Sequence, residues 1–334
     1  MKNIYTIMAV IMLLCMLTIP LLAVGPKGTK TSSEIQFPTV STSSGTGTGT
    51  TIPVKAGYFH VLNVKTDTIL EISETDYVFG VVASELPASF EPECIKAQAV
   101  AAYTVALLRR SEQSSSPDAS LKGADLSNDP SKDQGFITRE EAKTKWGSNY
   151  ETYAKKIDSA IATVKGKVIK YNGKPILAAY HAISGGKTEL ASVVWNANMP
   201  YLKAVDSVGD LLAPDYLTKA NFTPEQFIEN AKKLGVTLSG DPKAWLKEPK
   251  RSASGTVTQY ILGTKTLTGQ QIRSAFSLRS ANFDLTYDGT KLIFSVRGYG
   301  HGVGMSQYGA NYMAKQGSSY LEILKWYYPD CEIA

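Results

Sequence analysis

The first pattern along the chain is a long apolar run close to the N-terminus. Ile4 to Val24 contains no charged residue, and Lys2 precedes it. Roughly 20 apolar residues span a bilayer core as a helix, whereas the apolar part of a signal peptide has about 7–15. The pattern therefore predicts one transmembrane helix within residues 1–24. The alternative is a signal peptide cleaved near Ala23-Val24-Gly25; with either interpretation the remaining chain is exported and Lys2 stays cytoplasmic.

Residues 25–56 have the composition of a linker. Ser41 to Thr51 contains only serine, threonine and glycine. Such a segment buries too little apolar surface to offset the entropy of ordering it. We therefore predict a disordered linker that lets a folded part, residues 57–334, search the surface near the membrane.

From Tyr58 onward, alternating and helical patterns are mixed. Alternation predicts strands at His60–Lys65 and Thr68–Ile72, with Thr75 or Asp76 capping a helix that ends before Pro87. An alanine-rich helix from Ile95 to about Arg110 has apolar residues on most faces, which is typical of a central helix. The remaining predictions are a polar surface loop over 111–135, a capping box at Thr138 and Glu141, a helix over 150–163, a hairpin at Asn172-Gly173, strands near 260, 283–287 and 292–296, and a last helix over 321–328. Helices and antiparallel strands without strict alternation indicate the α+β class.

Composition narrows the class of protein. Apolar residues make up 43% and charged residues 19%, which is typical of a chain with a real core. The net charge of +5 is too small to suggest a nucleic-acid partner. The three cysteines and three histidines exclude a disulfide-rich scaffold and leave little material for a metal site. Cys94 and Cys331 are either a disulfide or two buried thiols.

Glu85 is the first candidate for chemistry. It follows a run of apolar residues and precedes Leu86-Pro87. A carboxyl group at the end of a buried segment can be desolvated, which raises its pKa and keeps it protonated as a general acid. The alternative is an ordinary exposed helix end.

Two glycine-containing segments are the other candidates. Tyr180-His-Ala-Ile-Ser-Gly-Gly-Lys-Thr-Glu189 runs from a strand into a Gly-Gly turn, and Gly298-Tyr-Gly-His-Gly-Val-Gly-Met-Ser-Gln-Tyr-Gly-Ala310 alternates glycines around His301. Neither spacing matches a phosphate loop or a dinucleotide fingerprint. The glycines indicate close backbone packing or a backbone-lined ligand groove. No serine lies in a Gly-x-Ser-x-Gly elbow, which argues against a serine–histidine hydrolase, and no pair of ligands has metal spacing.

Together these segments resemble the stage II sporulation protein D family, membrane-anchored lytic transglycosylases of spore-forming bacteria. The matching stretches are Tyr77-Val-Phe-Gly-Val-Val-Ala-Ser-Glu-Leu-Pro-Ala-Ser-Phe-Glu-Pro, Lys96-Ala-Gln-Ala-Val-Ala-Ala, Ser184-Gly-Gly-Lys-Thr-Glu, Pro200-Tyr-Leu and Gly300-His-Gly-Val-Gly-Met-Ser-Gln-Tyr-Gly-Ala. They occur in the family's order and cover roughly residues 57–333.

The resemblance implies a reaction. Such enzymes cut the bond between N-acetylmuramic acid and N-acetylglucosamine in peptidoglycan strands whose stem peptides an amidase, stage II sporulation protein P, has removed. The sugar's own C6 hydroxyl is the nucleophile, so one carboxyl group suffices and a 1,6-anhydro end results; two-carboxylate glycosidases differ in this. The family's catalytic acid falls on Glu85. The residues expected to hold the sugars are His181, Ser184, Gly185, Gly186, Tyr201, His301 and Gln307.

The resemblance also implies a setting. A single-pass protein of the cell membrane, with its catalytic domain outside the cytoplasm, would act during engulfment with stage II sporulation proteins P and M. No cofactor is expected. Some family members carry a zinc site before the equivalent of Trp146-Gly147, but residues 111–150 contain no histidine or cysteine, so we predict no zinc.

One departure from the family keeps other functions open. Where the family reads Ala-Ala-Arg-Thr-Tyr, this chain has Ala101-Ala-Tyr103-Thr-Val105. If the missing arginine supports the acid or a substrate carboxylate, activity is weakened or another residue replaces it. A membrane-tethered scaffold that binds glycan without cutting it is therefore the second hypothesis, and an exported serine–histidine hydrolase is the third.

Overall fold

The computed structural model describes residues 55–334, in which short strands and longer helices are mixed. In chain order the elements are β1 (Tyr58–Asn63), β2 (Thr68–Ser73), α1 (Glu74–Glu85), α2 (Pro92–Ser115), β3 (Leu126–Ser127), α3 (Arg139–Trp146), α4 (Tyr150–Val164), β4 (Ile169–Tyr171), β5 (Lys174–Pro175), β6 (Tyr180–His181), α5 (Ala191–Trp195), β7 (Leu217–Phe222), α6 (Pro224–Lys233), β8 (Lys250–Arg251), β9 (Val257–Leu262), β10 (Lys265–Leu267), α7 (Gly269–Ala275), β11 (Phe283–Tyr287), β12 (Leu292–Arg297), β13 (Met305–Ser306), α8 (Gln307–Lys315), α9 (Tyr320–Tyr327) and β14 (Glu332–Ile333). The mixture confirms the α+β class.

The predicted N-terminal segments fall almost wholly outside this description. The transmembrane helix predicted for residues 1–24, and the linker predicted for 25–56 except its last two residues, lie outside the described residues. From residue 55 to residue 334, no helix has both the length and the apolarity needed to cross a membrane.

Within residues 55–334 the strands form five small sheets. Their orders are β2-β1-β3, β14-β4-β5, β13-β6, β11-β12-β7 and β10-β9-β8. The first hairpin pairs antiparallel, with Val61 opposite Leu70. The pair β13-β6 is parallel, with Met305 opposite Tyr180, so it joins the two glycine-containing segments.

Helix α1 carries Glu85 at its last position. The Ser73 hydroxyl caps its start by accepting a hydrogen bond from the Asp76 N–H at 3.1 Å. The predicted caps, Thr75 and Asp76, are therefore wrong, because Ser73 already supplies the acceptor that the first turn needs. The helix ends at Glu85 because Leu86 adopts an extended backbone, as expected of a residue before a proline.

Helix α2 is the centre of the first hydrophobic core. Pro92 begins it, and its first fifteen residues are mostly buried. This core is built from residues between 59 and 202 and from residues between 303 and 331. The helix continues to Ser115, five residues beyond the predicted end, because Ser111 to Ser115 are compatible with a helix that faces solvent.

A second, separate core lies between the two glycine-containing segments in the chain. Its apolar residues fall between 227 and 296. Phe227, Phe276 and Phe294 pack against one another, with ring centroids 4.7 to 5.9 Å apart. The two ends of this segment meet, because the Gly298 N–H donates to the Tyr216 carbonyl at 2.8 Å. We call residues 217–297 the inserted unit.

The segment from 116 to 135 is not the simple surface loop that its polar composition predicts. Asp125 accepts a hydrogen bond from the His60 N–H at 2.8 Å, and Asp133 accepts from the N–H and hydroxyl of Ser127 at 2.9 and 2.8 Å. The prediction fails because these side chains form hydrogen bonds within the protein instead of with water. The segment thereby turns inward and reaches the end of α1.

Gly80, in the middle of α1, provides a test of this packing. A Cβ there would lie 2.3 Å from the Ile137 carbonyl oxygen and 2.4 Å from the Phe136 ring. We expect Gly80→Ala to destabilise the protein by about 1–3 kcal/mol, although alanine favours a helix by about 1 kcal/mol. Urea unfolding measures the change. Ser111→Ala, on the exposed side of α2, is the control and should stay within about 0.5 kcal/mol of the wild type. A stabilised Gly80→Ala protein would contradict the packing.

Candidate active site

The Glu85 carboxyl group lies half-buried at the C-terminal end of α1. The Gly135 N–H donates to its Oε1 at 2.8 Å. Burial raises the pKa of Glu85, while the Gly135 N–H, the Gln307 amide and the Lys145 ammonium each lower it; burial is the largest influence and the net pKa is raised. Glu85 is therefore protonated to higher pH than a free glutamate, which suits a proton donor.

A glutamine holds the backbone that contacts Glu85. Gln134 Nε2 donates to the Tyr77 hydroxyl at 3.2 Å and to the Ala102 carbonyl at 3.1 Å, and the Tyr180 hydroxyl donates to Gln134 Oε1 at 2.9 Å. Burial, together with the nearby Glu85 charge, raises the pKa of both tyrosines well above its usual value. Both hydroxyls thus remain donors at neutral pH. The network fixes Gly135 relative to α1.

The segment that follows β13 brings Gln307 to the same place. The Ser306 hydroxyl caps α8 by accepting from the Gly309 N–H at 3.3 Å, so Gln307 opens the helix. The Cys94 thiol donates to the Gln307 carbonyl at 3.6 Å, which joins the starts of α8 and α2. Gln307 Nε2 is buried without a hydrogen-bond partner among the described residues. An amide close to Glu85 with a donor to spare is suited to binding a ligand.

Glycine is required where the two segments pair. Gly304 has a φ of +72°, and a Cβ there would lie 2.0 Å from the Ala179 carbonyl oxygen. The Met305 N–H donates to that same carbonyl at 3.0 Å. The glycine alternation of this segment therefore serves close backbone packing, one of the two roles expected from its sequence.

Asp210 ties both glycine-containing segments to one point. Its side chain is fully buried, in a 3-10 helix at Val208–Leu212. Its carboxylate accepts from the N–H and hydroxyl of Ser184 at 2.9 and 2.5 Å and from the Ser306 hydroxyl at 2.6 Å. Three donors satisfy a carboxylate that would otherwise be costly to bury.

His181 and His301 form an aromatic group beside the hydrogen bonds of Asp210 with Ser184 and Ser306, which we call the Asp210 clamp. Their ring centroids are 5.6 Å apart, and the Trp195 ring lies 5.1 Å from His301. His181 Nδ1 lies 3.1 Å from the Val303 carbonyl oxygen, and the Val303 N–H donates to His301 Nδ1 at 3.1 Å. Burial lowers the pKa of both, that of His301 to about 3 with further lowering from His181 and Arg273. Both imidazoles are therefore neutral at neutral pH.

Comparisons with known proteins find a matching family model and several similar proteins. A family model described as stage II sporulation protein matches residues 63–171. Stage II sporulation protein D of Bacillus subtilis (strain 168) is 38% identical over 322 residues, which cover 95% of this chain and 92% of the relative. Stage II sporulation protein D of Bacillus amyloliquefaciens is 39% identical over 274 residues, which cover 82% and 78%.

The chain belongs to the stage II sporulation protein D family. A more distant relative is an amidase enhancer of Bacillus subtilis (strain 168), 28% identical over 300 residues. These cover 75% of this chain but only 39% of the enhancer.

The structure brings some of the predicted family site residues together and separates others. Gln307 lies at Glu85, and His181 lies beside His301. Ser184 is buried with its hydroxyl directed to Asp210. The Tyr201 hydroxyl accepts from the Leu177 N–H at 3.4 Å, and its ring lies 5.5 Å from that of Tyr171.

The Gly185-Gly186 pair has little room for side chains. A Cβ at Gly185 would lie 2.4 Å from Asn282 Nδ2, and Gly186 has a φ of +98° with Leu211 above it. This turn therefore packs directly against the inserted unit.

The family departure at Tyr103 lies away from the acid. Its hydroxyl donates to Glu74 at 2.9 Å, at the opposite end of α1 from Glu85. At about 1.5 Å per residue, the two ends of the helix are roughly 16 Å apart. Tyr103 thus contacts the start of α1 and leaves the surroundings of Glu85 unchanged.

The remaining sequence questions concern cysteine and metal. Cys94 and Cys331 are both free and buried, so the thiol alternative holds. Within residues 55–334, no group of three or more histidine, cysteine, aspartate or glutamate side chains is placed to hold a metal ion.

Sequence reasoning missed four residues of this site: Gln134, Gly135, Lys145 and Asp210. Only Asp210 carried a signal, because it is a lone acid among the apolar residues of Val208-Gly-Asp-Leu-Leu212. A charge within an apolar stretch indicates a buried and partnered group.

Asp210 can be tested directly. We expect Asp210→Ala to lower stability by about 3–5 kcal/mol because it leaves three buried donors unpaired. Asp210→Asn keeps one acceptor oxygen and should cost less. Urea unfolding measures both. Asp206→Ala is the control: its exposed ion pair with Lys187, 3.5 Å long, should contribute less than about 1 kcal/mol. Equal losses for Asp206→Ala and Asp210→Ala would contradict the clamp.

Proposed function

We propose that the protein is a peptidoglycan lytic transglycosylase that acts on peptide-stripped glycan strands during engulfment. The observation that carries the proposal is the Glu85 carboxyl group: it ends a buried helix, its pKa is raised by burial, and it is oriented by the Gly135 N–H. Family membership supports a role in sporulation, and the carboxyl group supplies the chemistry.

The reaction needs one group that first gives and then takes a proton. Protonated Glu85 donates its proton to the glycosidic oxygen between N-acetylmuramic acid and N-acetylglucosamine, and the bond from C1 to that oxygen breaks. The C6 hydroxyl of the same muramic acid attacks C1, and the Glu85 carboxylate accepts the hydroxyl proton. The products are a 1,6-anhydro end and a free sugar hydroxyl, and Glu85 is protonated again. No water is consumed.

Glycosidases that hydrolyse rely on a second carboxylate about 5–9.5 Å from the acid, whereas the reaction proposed here needs only one carboxyl group. The groups that lower the pKa of Glu85 are the Gly135 N–H, the Gln307 amide and the Lys145 ammonium. A cation suits the step in which Glu85 is negatively charged.

The serine–histidine hypothesis finds no support in the geometry. The hydroxyls of Ser184 and Ser306 donate to Asp210, and the hydrogen bonds of His181 and His301 run to the Val303 backbone. A nucleophilic serine needs a hydrogen bond to its base.

The substrate contacts follow from which polar groups remain available. Gln307 Nε2 and His181 Nε2 are buried without partners among the described residues. We propose that they, with His301, hold the sugars, and that Ser184 and its glycines shape the turn behind them. Tyr201 contributes only if the strand extends towards Tyr171.

The setting is part of the same proposal. A single N-terminal transmembrane helix would keep the catalytic domain at the outer face of the cell membrane, near stage II sporulation proteins P and M. The amidase enhancer among the relatives favours the second candidate, a tethered protein that binds glycan and assists an amidase without cutting.

Digestion of peptide-free glycan separates these functions. We expect the wild type to release strands with 1,6-anhydro-muramic ends, detected by mass spectrometry, and Glu85→Gln to lower that rate about 100-fold or more because the general acid is lost. Glu151→Gln, exposed in the first turn of α4, is the matched control and should cut at the wild-type rate.

Three outcomes would contradict the proposal. Reducing ends would indicate hydrolysis, equal rates for Glu85→Gln and the wild type would remove Glu85 from the chemistry, and glycan binding without cutting would favour the tethered scaffold.

The pH dependence provides an independent test. Because protonated Glu85 is the active form, the cleavage rate should fall as pH rises through its raised pKa. Lys145→Met removes a cation that lowers this pKa, so the alkaline limb of kcat/KM should move to higher pH. Lys143→Met, exposed on the same helix, should leave the profile in place. A limb that moves to lower pH, or equally in both variants, would show that Glu85 does not set it.

A further inference from the structure

Arg273 is unusual among the arginines of this protein. All seven lie within residues 55–334, and six of them have a nitrogen within 4 Å of a carboxylate oxygen: Arg109, Arg110, Arg139, Arg251, Arg279 and Arg297. Arg273, on α7 of the inserted unit, has no ion pair with any of the described residues. Its hydrogen bonds are long ones to neutral acceptors, from Nε to the Leu278 carbonyl and from Nη1 to Gln270 Oε1, both at 3.4 Å.

The position of this charge is unfavourable without a partner. The side chain is partly buried, and burial lowers the pKa of Arg273. Burial lowers the pKa of His181 and His301, and Arg273 lies near enough to lower both further, so neither ring supplies a charge. A partly buried cation without a counter-ion costs free energy that an anionic ligand would recover.

The groups around Arg273 are those of a sugar site. Tyr299 is 49% exposed, and the Arg279 guanidinium lies 4.5 Å from its ring centroid. The Trp195 ring lies 5.1 Å from the ring of His301 and is inclined to it by 53°. Exposed aromatic faces pack against the apolar faces of other rings and leave their edges to polar partners. Gln270, which accepts from Arg273, lines a small polar cavity together with Glu189, Asn282 and His301.

We propose that Arg273 binds the free lactyl carboxylate of N-acetylmuramic acid and so selects strands whose stem peptides have been removed. This rests on the proposed function and adds the residue that distinguishes peptide-free strands from strands that still carry stem peptides. The lactyl group carries a charged carboxylate only after the bond to the peptide is hydrolysed; before that it is a neutral amide. A guanidinium forms a charge-assisted, bidentate pair with the carboxylate and not with the amide.

A binding experiment tests this without any turnover. Full-length protein with Glu85→Gln is titrated with peptide-free glycan strands and with the same strands after conversion of their carboxylates to methylamides. We expect Arg273→Gln to weaken binding of the carboxylate strands about tenfold and to leave binding of the methylamide strands unchanged. Arg273→Lys keeps the charge but not the planar group that can form two parallel hydrogen bonds. Its affinity for the carboxylate strands should lie between those of the wild type and Arg273→Gln.

The controls separate this role from a structural one. Lys243→Gln removes an exposed cation from the same inserted unit and should change neither affinity. Equal losses on both kinds of strand, or no loss on the carboxylate strands, would overturn the proposal. Because the readout is binding, it stands or falls independently of whether Glu85 catalyses cleavage.

Discussion

The site depends on one buried carboxylate that is not itself placed to react. Asp210 accepts three hydrogen bonds from Ser184 and Ser306, which lie on opposite sides of the inserted unit in the chain. Charge-assisted hydrogen bonds are short and strongly directional, so they fix both segments to within a small error. Ser306 in turn begins α8, which sets the position of Gln307 beside Glu85. The chemistry at one end of α1 is thus positioned from a 3-10 helix that carries no reacting group.

The properties of Glu85 reflect a balance between opposing influences. Burial alone disfavours the charged form, and a carboxyl group held only by burial would release its proton too reluctantly to act as a base afterwards. The Gly135 N–H, the Gln307 amide and the Lys145 ammonium each stabilise the anion. In the proposed reaction Glu85 donates and then accepts a proton, and such a group needs both influences, because the best acid–base catalyst has a pKa near the working pH.

How far the sequence predicts this structure differs between parts of the chain. The capping box at Thr138, the helix from Tyr150 and the strands at 283–287 follow from local patterns and are confirmed, because each is decided by neighbouring residues. Glu85 and Gln307 are predicted as site residues by the resemblance of the sequence to the family. Gly135 could not be found, because its role depends on contacts between distant parts of the chain, and the signal of Asp210, a lone acid in an apolar stretch, does not name its partners. The polar loop shows the same limit: its acids pair with His60 and Ser127, and composition gives no sign of such partners.

The meeting of Tyr216 and Gly298 has a consequence for how this protein can change over time. The inserted unit leaves and re-enters the rest of the chain at a single point, and it has an aromatic core of its own. A segment with adjacent ends and its own core can be lengthened, replaced or repacked without pulling apart the helices that hold Glu85. Changes within the inserted unit, at Arg273 for example, can therefore accumulate without altering the surroundings of Glu85. On the proposed function, descendants of such a chain would acquire new substrate preferences through this unit while they inherit the same carboxyl group.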